Sequence, residues 1–244
     1  MLPPDGPAAF ATTRWSVVLA AGGSSSNPDS AAALEILCRA CWPPIYAFVR
    51  RAGHDAEDAL DLTQGFFAHL LASGAIAHAV PDRGRFRSYL LGALKHFLAD
   101  ARDRARAEKR GGGREILSLD AAAGEESYAW EPVDARTPET LYERRWALNL
   151  LARALERLEE ECRLSGKGRL FATLRGFLAE QSAARTYPEA ATDLGLTEAN
   201  VRMTVSRLRR RYGELLRAEV AETLGAGADP DDELRHMLER LQDN

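Results

Sequence analysis

Polar and basic side chains between residues 199 and 210 recur at the spacing of one helical face. Small and polar groups near the start of a helix permit a close approach to base edges, and arginines can reach guanine or phosphate oxygens. These residues are therefore candidates for binding nucleic acid. The face consists of Ala199, Met203, Ser206 and Arg210, flanked by Asn200, Arg202 and Arg207.

The chain before this face carries the signals of a short helix and a sharp turn. Tyr187, Ala191 and Leu194 fall on one side of a helix. Gly195 can take the left-handed conformation that ends a helix, and Leu196 is placed to fill the core between two helices. A turn of this kind brings the two helices together.

The second helix is predicted over 198–216, with Thr197 as its N-cap. Its apolar residues recur at alternating spacings of four and three, which gives a narrow buried stripe. The turn, the cap, the stripe and the basic face together indicate a helix-turn-helix that binds DNA. A basic amphipathic helix packed in a bundle, with its arginines in water, is the alternative. The stripe consists of Val201, Val205, Leu208, Tyr212 and Leu215.

The net charge of −4 conceals two basic blocks separated by an acidic one. Residues 83–114 hold ten basic residues and three acids, residues 115–143 hold eight acids and one arginine, and residues 202–217 hold six arginines and one glutamate. Two basic blocks suit a two-point contact with a polyanion. Arginine-rich codon usage is the alternative, because only three of the 32 basic residues are lysines.

A helix predicted over 55–71 combines an apolar band with an acidic surface. Glu57, Asp58, Asp61 and Gln64 lie outside the band. Such a surface can bind the basic helices of a partner, and solvation without a partner is the alternative.

A basic loop and a basic helix follow. Arginines surround Phe86 in the loop, and Ser88 can cap a helix predicted over 88–110. Cations interleaved with rings such as Phe86 and Tyr89 suit an unstacked single strand, because the rings stack on bases while the cations follow the backbone. A place in the core is the alternative for both rings. The helix carries a basic stripe of Lys95, Arg102, Arg106 and Lys109.

These segments together resemble a bacterial RNA polymerase sigma factor of the sigma-70 family. The two-domain form is similar to the extracytoplasmic-function group, and the resemblance covers about 31–110 and 140–218. The segments that carry it are DAEDALDLTQGFF at 55–67, GRFRSYLLGALKHFLADARDR at 84–104 and YPEAATDLGLTEANVRMTVSRLRRRY at 187–212.

The resemblance implies three contact surfaces. The acidic helix would dock on the β′ subunit of core RNA polymerase through Asp58, Asp61, Gln64, Phe66 and Phe67. The basic loop and helix would recognise and open the minus-ten element through Arg83, Arg85, Phe86, Arg87, Tyr89, Lys95, Arg102 and Arg106. The helix-turn-helix would read the minus-thirty-five element through Thr197, Glu198, Ala199, Asn200, Arg202, Met203, Ser206, Arg207 and Arg210.

The implied partners are core RNA polymerase, through its β′ and β subunits, and promoter DNA, with an anti-sigma protein as a further candidate. Gly65 stands where the family usually has a glutamate, and Tyr89 where it usually has a tryptophan. Two alternatives stay open. One is a stand-alone helix-turn-helix regulator that needs no polymerase, and the other is a degenerate sigma factor that binds only an anti-sigma protein.

The expected fold class is all-α, with two small helical domains joined by a flexible acidic linker and the helix-turn-helix in the second domain. About 30 linker residues span at most about 100 Å, enough for promoter elements roughly 25 base pairs apart at about 3.4 Å each. The expected parts are an N-terminal extension (1–30), a sigma region 2-like domain (31–110), the linker (111–138), a sigma region 4-like domain (139–218) and an acidic tail with a short helix (219–244).

Several other classes of protein do not fit. No apolar run approaches the roughly 18–20 residues of a membrane span, and the pattern of a secretory signal is missing. Three cysteines are too few for a disulfide-built fold, so a cytoplasmic protein with reduced thiols is expected. Cys38 and Cys41 invite a zinc site, but a core position is favoured because no further ligands stand at finger spacing. With no phosphate-binding loop or nucleophile motif, no enzyme activity, metal or cofactor is expected.

Overall fold

The computed structural model describes residues 28–78, 85–108, 137–178, 185–224 and 228–242. All regular structure in these ranges is helical and none is β-strand, which confirms the all-α class. None of the helices described there is both long and apolar enough to span a bilayer. The helices are α1 (Pro28–Arg51), α2 (Ala56–Ala72), α3 (Phe86–Glu108), α4 (Pro138–Leu164), α5 (Gly168–Leu174), α6 (Tyr187–Leu194), α7 (Glu198–Ala221) and α8 (Pro230–Gln242), with short 3-10 helices at Ala75–His78 and Arg175–Phe177.

The chain forms two compact units. The first contains the residues up to Asn149 and those from Val220 onward, and the second contains Leu150–Glu219. The unit boundaries fall inside α4 and α7, so the first part of α4 and the whole of α8 belong with α1, α2 and α3. The sequence predicts instead that residues 139–149 belong to the second domain. Most of the expected linker, from 111 to 136, lies outside the described residues.

The core of the first unit is built from α1, α2 and α3. Ile45, Phe66 and Leu94 are completely buried. The ring of Phe66 meets that of Phe97 edge-on at 5.7 Å between centroids. Each such side chain contributes about 1.5–3 kcal/mol by leaving water, so the apolar band predicted for 55–71 holds α2 against its neighbours.

A side-chain cap marks the start of α2, whereas backbone hydrogen bonds mark the start of α3. Asp55 accepts a hydrogen bond at 2.9 Å from the backbone N–H of Asp58 and caps α2, so the helix starts at Ala56, one residue after the predicted start. The prediction that Ser88 caps α3 is wrong. The backbone N–H groups of Ser88 and Tyr89 both donate to the carbonyl of Arg85, which starts the helix at Phe86 and leaves Ser88 exposed inside it.

The second unit packs α5, α6 and the adjoining parts of α4 and α7 around a small apolar core. Leu158, Phe171, Leu174 and Val201 are all at most 1% exposed. Glu219 is also completely buried. Its carboxylate accepts hydrogen bonds from Arg153 at 2.7 Å and from Arg157 at 2.6 Å, which compensates for the loss of water around the charge.

The sequence predicts one apolar face for α4, because Leu148, Leu151, Leu155, Leu158 and Cys162 recur at spacings of three and four. Leu158 and Cys162 are buried, but Leu148 is 39% exposed. The most deeply buried row instead runs through Leu150, Ala154 and Leu158 at a spacing of four, so an alanine takes a core position.

Candidate nucleic-acid interface

The turn between α6 and α7 has the geometry that its sequence predicted. Gly195 takes the left-handed conformation with φ of 65°, and the N–H of Leu196 donates to the carbonyl of Ala191 at 3.0 Å. A bond of this kind satisfies a carbonyl that the helix end leaves open. Thr197 Oγ1 then accepts the N–H of Asn200 at 3.3 Å and caps α7. The start of α6 is held in a similar way, since the N–H of Thr186 donates to Glu189 at 2.7 Å.

The buried stripe of α7 is confirmed for four of its five residues. Val201 is 0%, Val205 2%, Leu208 8% and Leu215 2% exposed. Tyr212 is only half-buried, and its hydroxyl donates to the carbonyl of Leu151 at 3.0 Å. These contacts fix the rotation of α7 about its axis and therefore decide which side chains face outward.

The prediction that Leu196 fills the core between α6 and α7 is wrong. Leu196 is 37% exposed. The reason is that the turn uses the backbone of Leu196, whereas Ala190 and Ala191 supply the buried contacts of α6. Two small residues let α6 pack closely without an additional leucine.

The opposite side of α7 presents every residue assigned to the minus-thirty-five set to solvent. Met203, 48% exposed, places an apolar group among the polar ones. Each residue of the set is therefore accessible to a partner. The exposed residues are Thr197, Glu198, Ala199, Asn200, Arg202, Met203, Ser206, Arg207 and Arg210.

The three arginines of the outward face differ in how firmly they are held. Arg202 donates from Nε at 2.9 Å and from Nη2 at 2.6 Å to one oxygen of Glu198. Arg207 has a 3.6 Å contact with the sulfur of Met203. Arg210 lies 3.8 Å from a carboxylate oxygen of Glu214. Only the first is a close, charge-assisted bond.

Two other arginines of the basic block are structural. Arg209 donates twice to the carbonyl of Phe177, at 3.0 and 2.8 Å. Arg211 binds Glu161 at 2.8 and 2.7 Å and Glu214 at 2.9 Å. Counting charges along the sequence does not distinguish these two arginines from the others. The partner of Arg209 lies 32 residues away, and that of Arg211 lies 50 residues away.

The residues assigned to polymerase docking divide into a surface pair and a buried pair. Asp58 and Asp61 are exposed on α2, and Gln64 is half-buried. Phe66 and Phe67 are 0% and 7% exposed. The prediction that these two rings contact the polymerase is therefore corrected: they belong to the core.

Phe67 stacks on Trp42 at 5.6 Å between ring centroids. Gly65, which stands where the resemblance calls for a glutamate, lies against the same core. A Cβ atom at this position would come within 3.3 Å of the ring of Phe97. A larger residue here would require that ring to move.

The residues assigned to the minus-ten element are also divided by burial. Lys95 and Arg102 are exposed on α3, and Tyr89 is half-buried with its hydroxyl donating to the carbonyl of Ala75 at 2.5 Å. Phe86 and Arg87 are only 1% and 3% exposed, so the prediction that they touch DNA is corrected. Arg83 and the side chain of Arg106 lie outside the described parts of the chain.

Carboxylates distant in sequence hold Arg85 and Arg87. Arg87 donates from Nη1 to Glu143 at 2.6 Å, and its Nη2 lies 3.0 Å from Glu233. Arg85 Nε lies 2.8 Å from the second oxygen of the Glu233 carboxylate. The acidic tail therefore supplies a carboxylate to two arginines that the resemblance assigns to DNA binding.

Lys95 has an exposed acidic partner in the first turn of α4. Its ammonium group lies 2.7 Å from Glu139. The hydrogen bond from Lys95 lowers the pKa of Glu139 below its usual value. Such an exposed pair is screened by solvent and contributes little to stability.

The cysteines are free thiols. Cys41 is buried and Cys38 half-buried, and burial raises the pKa of Cys38 to about 11. Among the described residues, no group of three or more histidine, cysteine or acidic side chains could hold a metal ion. The arrangement fits the core position favoured for Cys38 and Cys41.

Comparison with known proteins gives no match among protein-family models, curated proteins or solved structures.

Proposed function

We propose that the chain is a sigma factor that binds core RNA polymerase and directs promoter-specific initiation of transcription. The observation that carries the proposal is the outward face of α7, where polar and basic side chains stand opposite the buried residues Val201, Val205 and Leu208. A helix fixed in rotation with small and basic residues outward has the form of a recognition helix in a helix-turn-helix.

In this proposal α7 lies in the major groove of the minus-thirty-five element. Ala199, Asn200 and Ser206 allow close approach and hydrogen bonding to base edges, and Met203 provides an apolar contact suited to a thymine methyl group. Arginines on the same face neutralise phosphates, which adds affinity that is independent of sequence and falls with salt.

Docking on the polymerase is assigned to the exposed acids Asp58 and Asp61 of α2. Their carboxylates project from the helix whose apolar side forms the core, so a basic partner can approach without disturbing the fold. This assignment rests on the resemblance of residues 55–67 to the sigma-70 family.

Contact with the minus-ten element is assigned to the exposed cations of α3, Lys95 and Arg102. Both can approach the phosphates of an opened strand, and the Lys95–Glu139 pair would be exchanged for a phosphate contact. Duplex opening costs about a few kcal/mol per unstacked base step, so the binding energy of the polymerase complex is needed for this step.

Reconstituted run-off transcription tests the proposal. Core polymerase with the full chain is expected to give discrete transcripts from a library of bacterial promoter fragments, whereas neither component alone does so. Co-purification with core polymerase is the matched binding assay. Tight binding of the free chain to a defined duplex without any association with core polymerase would favour the stand-alone regulator.

A further inference from the structure

An aromatic column in the second unit ends on one arginine of the outward face. The ring of Phe177 is stacked on that of Tyr187, with centroids 4.6 Å apart and planes 26° from parallel. The guanidinium carbon of Arg202 lies 4.3 Å from the centroid of Tyr187. The column is anchored at Phe177, which is 5% exposed and whose carbonyl is held by Arg209.

Glu198 fixes a second side of the same guanidinium. Its Oε1 accepts hydrogen bonds from both Nε and Nη2 of Arg202, which lies one helical turn away. A ring face and a carboxylate together restrain both the position and the plane of the group. Neither Arg207, against a methionine sulfur, nor Arg210, 3.8 Å from Glu214, has a restraint of this kind.

The difference matters because a base and a phosphate place different requirements on the orientation of a guanidinium group. Bidentate recognition of the O6 and N7 atoms of guanine requires a guanidinium of defined plane, whereas a phosphate accepts many orientations. The carboxylate of Glu198 also repels a phosphate beside Arg202. A guanidinium held before binding loses less conformational freedom when it meets its target.

We propose that Tyr187 is a positioning residue that holds Arg202 for reading a guanine in the major groove, while Arg207 and Arg210 contact phosphates. The inference rests on the proposed function and goes beyond it, because it gives α6 a part in sequence specificity and separates three arginines that look equivalent in the sequence.

The specificity test uses holoenzyme reconstituted with full-length chain and a pool of duplexes randomised across the upstream element. The wild type and Tyr187→Phe, which keeps the ring, are expected to enrich guanine at one position. Tyr187→Leu is expected to reduce that preference about fivefold or more while overall DNA retention falls much less. Retention of the full guanine preference by Tyr187→Leu would overturn the inference.

A second measurement needs no DNA. In the free full-length chain, 15N relaxation of the arginine Nε groups is expected to show Arg202 more ordered than Arg207. Tyr187→Leu should lower the order parameter of Arg202 and leave that of Arg207 unchanged, and a melting curve shows whether the variant is folded. An Arg202 order parameter that is the same in the wild type and in Tyr187→Leu would contradict the bracing by Tyr187.

The two measurements separate this inference from the proposed function. A wild-type holoenzyme that enriches no sequence at all contradicts the proposed function and, with it, the assignment of guanine. The bracing of Arg202 is then judged by the relaxation measurement alone.

Discussion

Glu233 of α8 and Arg87 of α3 form a buried ion pair, with 3.0 Å between Oε1 and Nη2 and side chains that are 3% and 4% exposed. Arg87 also donates to Glu143, and Glu233 also lies against Arg85. These buried ion pairs hold α8 against α3 within the first unit.

Replacing Glu233 with alanine should lower the free energy of unfolding by about 1–3 kcal/mol, because the buried Nη2 group of Arg87 loses its hydrogen-bond partner while Glu143 still compensates part of the charge. Urea unfolding followed by circular dichroism measures the change. Asp232→Ala is the matched control on the same helix, since its pair with Arg235 is exposed and should contribute far less. Equal effects of the two substitutions would contradict the description of Glu233 as a buried anchor.

Two glycines of the second unit should respond in opposite directions to alanine. Gly195 has φ of 65°, where a Cβ atom costs about 1–2 kcal/mol, so Gly195→Ala should destabilise the fold by about 1 kcal/mol. Gly213 lies inside α7 with open space around it, so Gly213→Ala should stabilise it by about 0.5–1 kcal/mol. Melting temperatures that move in the same direction would contradict the left-handed turn.

Tyr212 should make the stability depend on alkaline pH. Burial raises the pKa of Tyr212 from 10.0 to about 12, while its hydroxyl donates to the carbonyl of Leu151. Because the folded pKa is the higher one, the contribution is fully present below pH 10 and is lost as the pH rises towards 12. Urea unfolding between pH 8 and 11.5 should give a shallower loss of stability for Tyr212→Phe than for the wild type. Parallel profiles of stability against pH for the two proteins would contradict this role of Tyr212.

Asp61→Arg should weaken binding to core polymerase by about tenfold or more, since like charges facing each other across an interface cost more than about 1.4 kcal/mol. Asp61 is exposed, so the fold should be preserved. Glu239→Arg, an equal charge change on the exposed side of α8, is the control. Normal recovery of Asp61→Arg in a pull-down with core enzyme would place the docking surface elsewhere.

Local signals in the sequence were sufficient for the elements around α7. Gly195, Thr197 and the Val201–Val205–Leu208 spacing each encode one feature of the turn, the cap or the stripe, and all three appear in the structure. These features depend on residues within a few positions of each other. Sequence patterns therefore predict them well.

The corrections concern side chains whose environment is set by distant residues. The residues next to Arg87 in the sequence suggest a DNA-binding arginine. Its partners, Glu143 and Glu233, lie 56 and 146 residues away. Phe66 and Phe67 sit beside the acidic face of α2, yet Trp42 and Phe97 bury them. No periodicity within a single helix contains that information.

The most direct test of the central claim compares run-off transcription by holoenzymes carrying wild-type chain, the double variant Arg202→Ala/Arg207→Ala, and Arg163→Ala. Arg163 is an exposed, ion-paired arginine on α4, outside the set of residues that form the outward face of α7, and serves as the control. The account predicts that the double variant loses about 1–3 kcal/mol of promoter binding for each arginine that contacts a base, and loses transcripts accordingly, while Arg163→Ala behaves as wild type. Unchanged promoter use by the double variant, with core polymerase binding intact, would contradict the claim that this face of α7 reads the promoter.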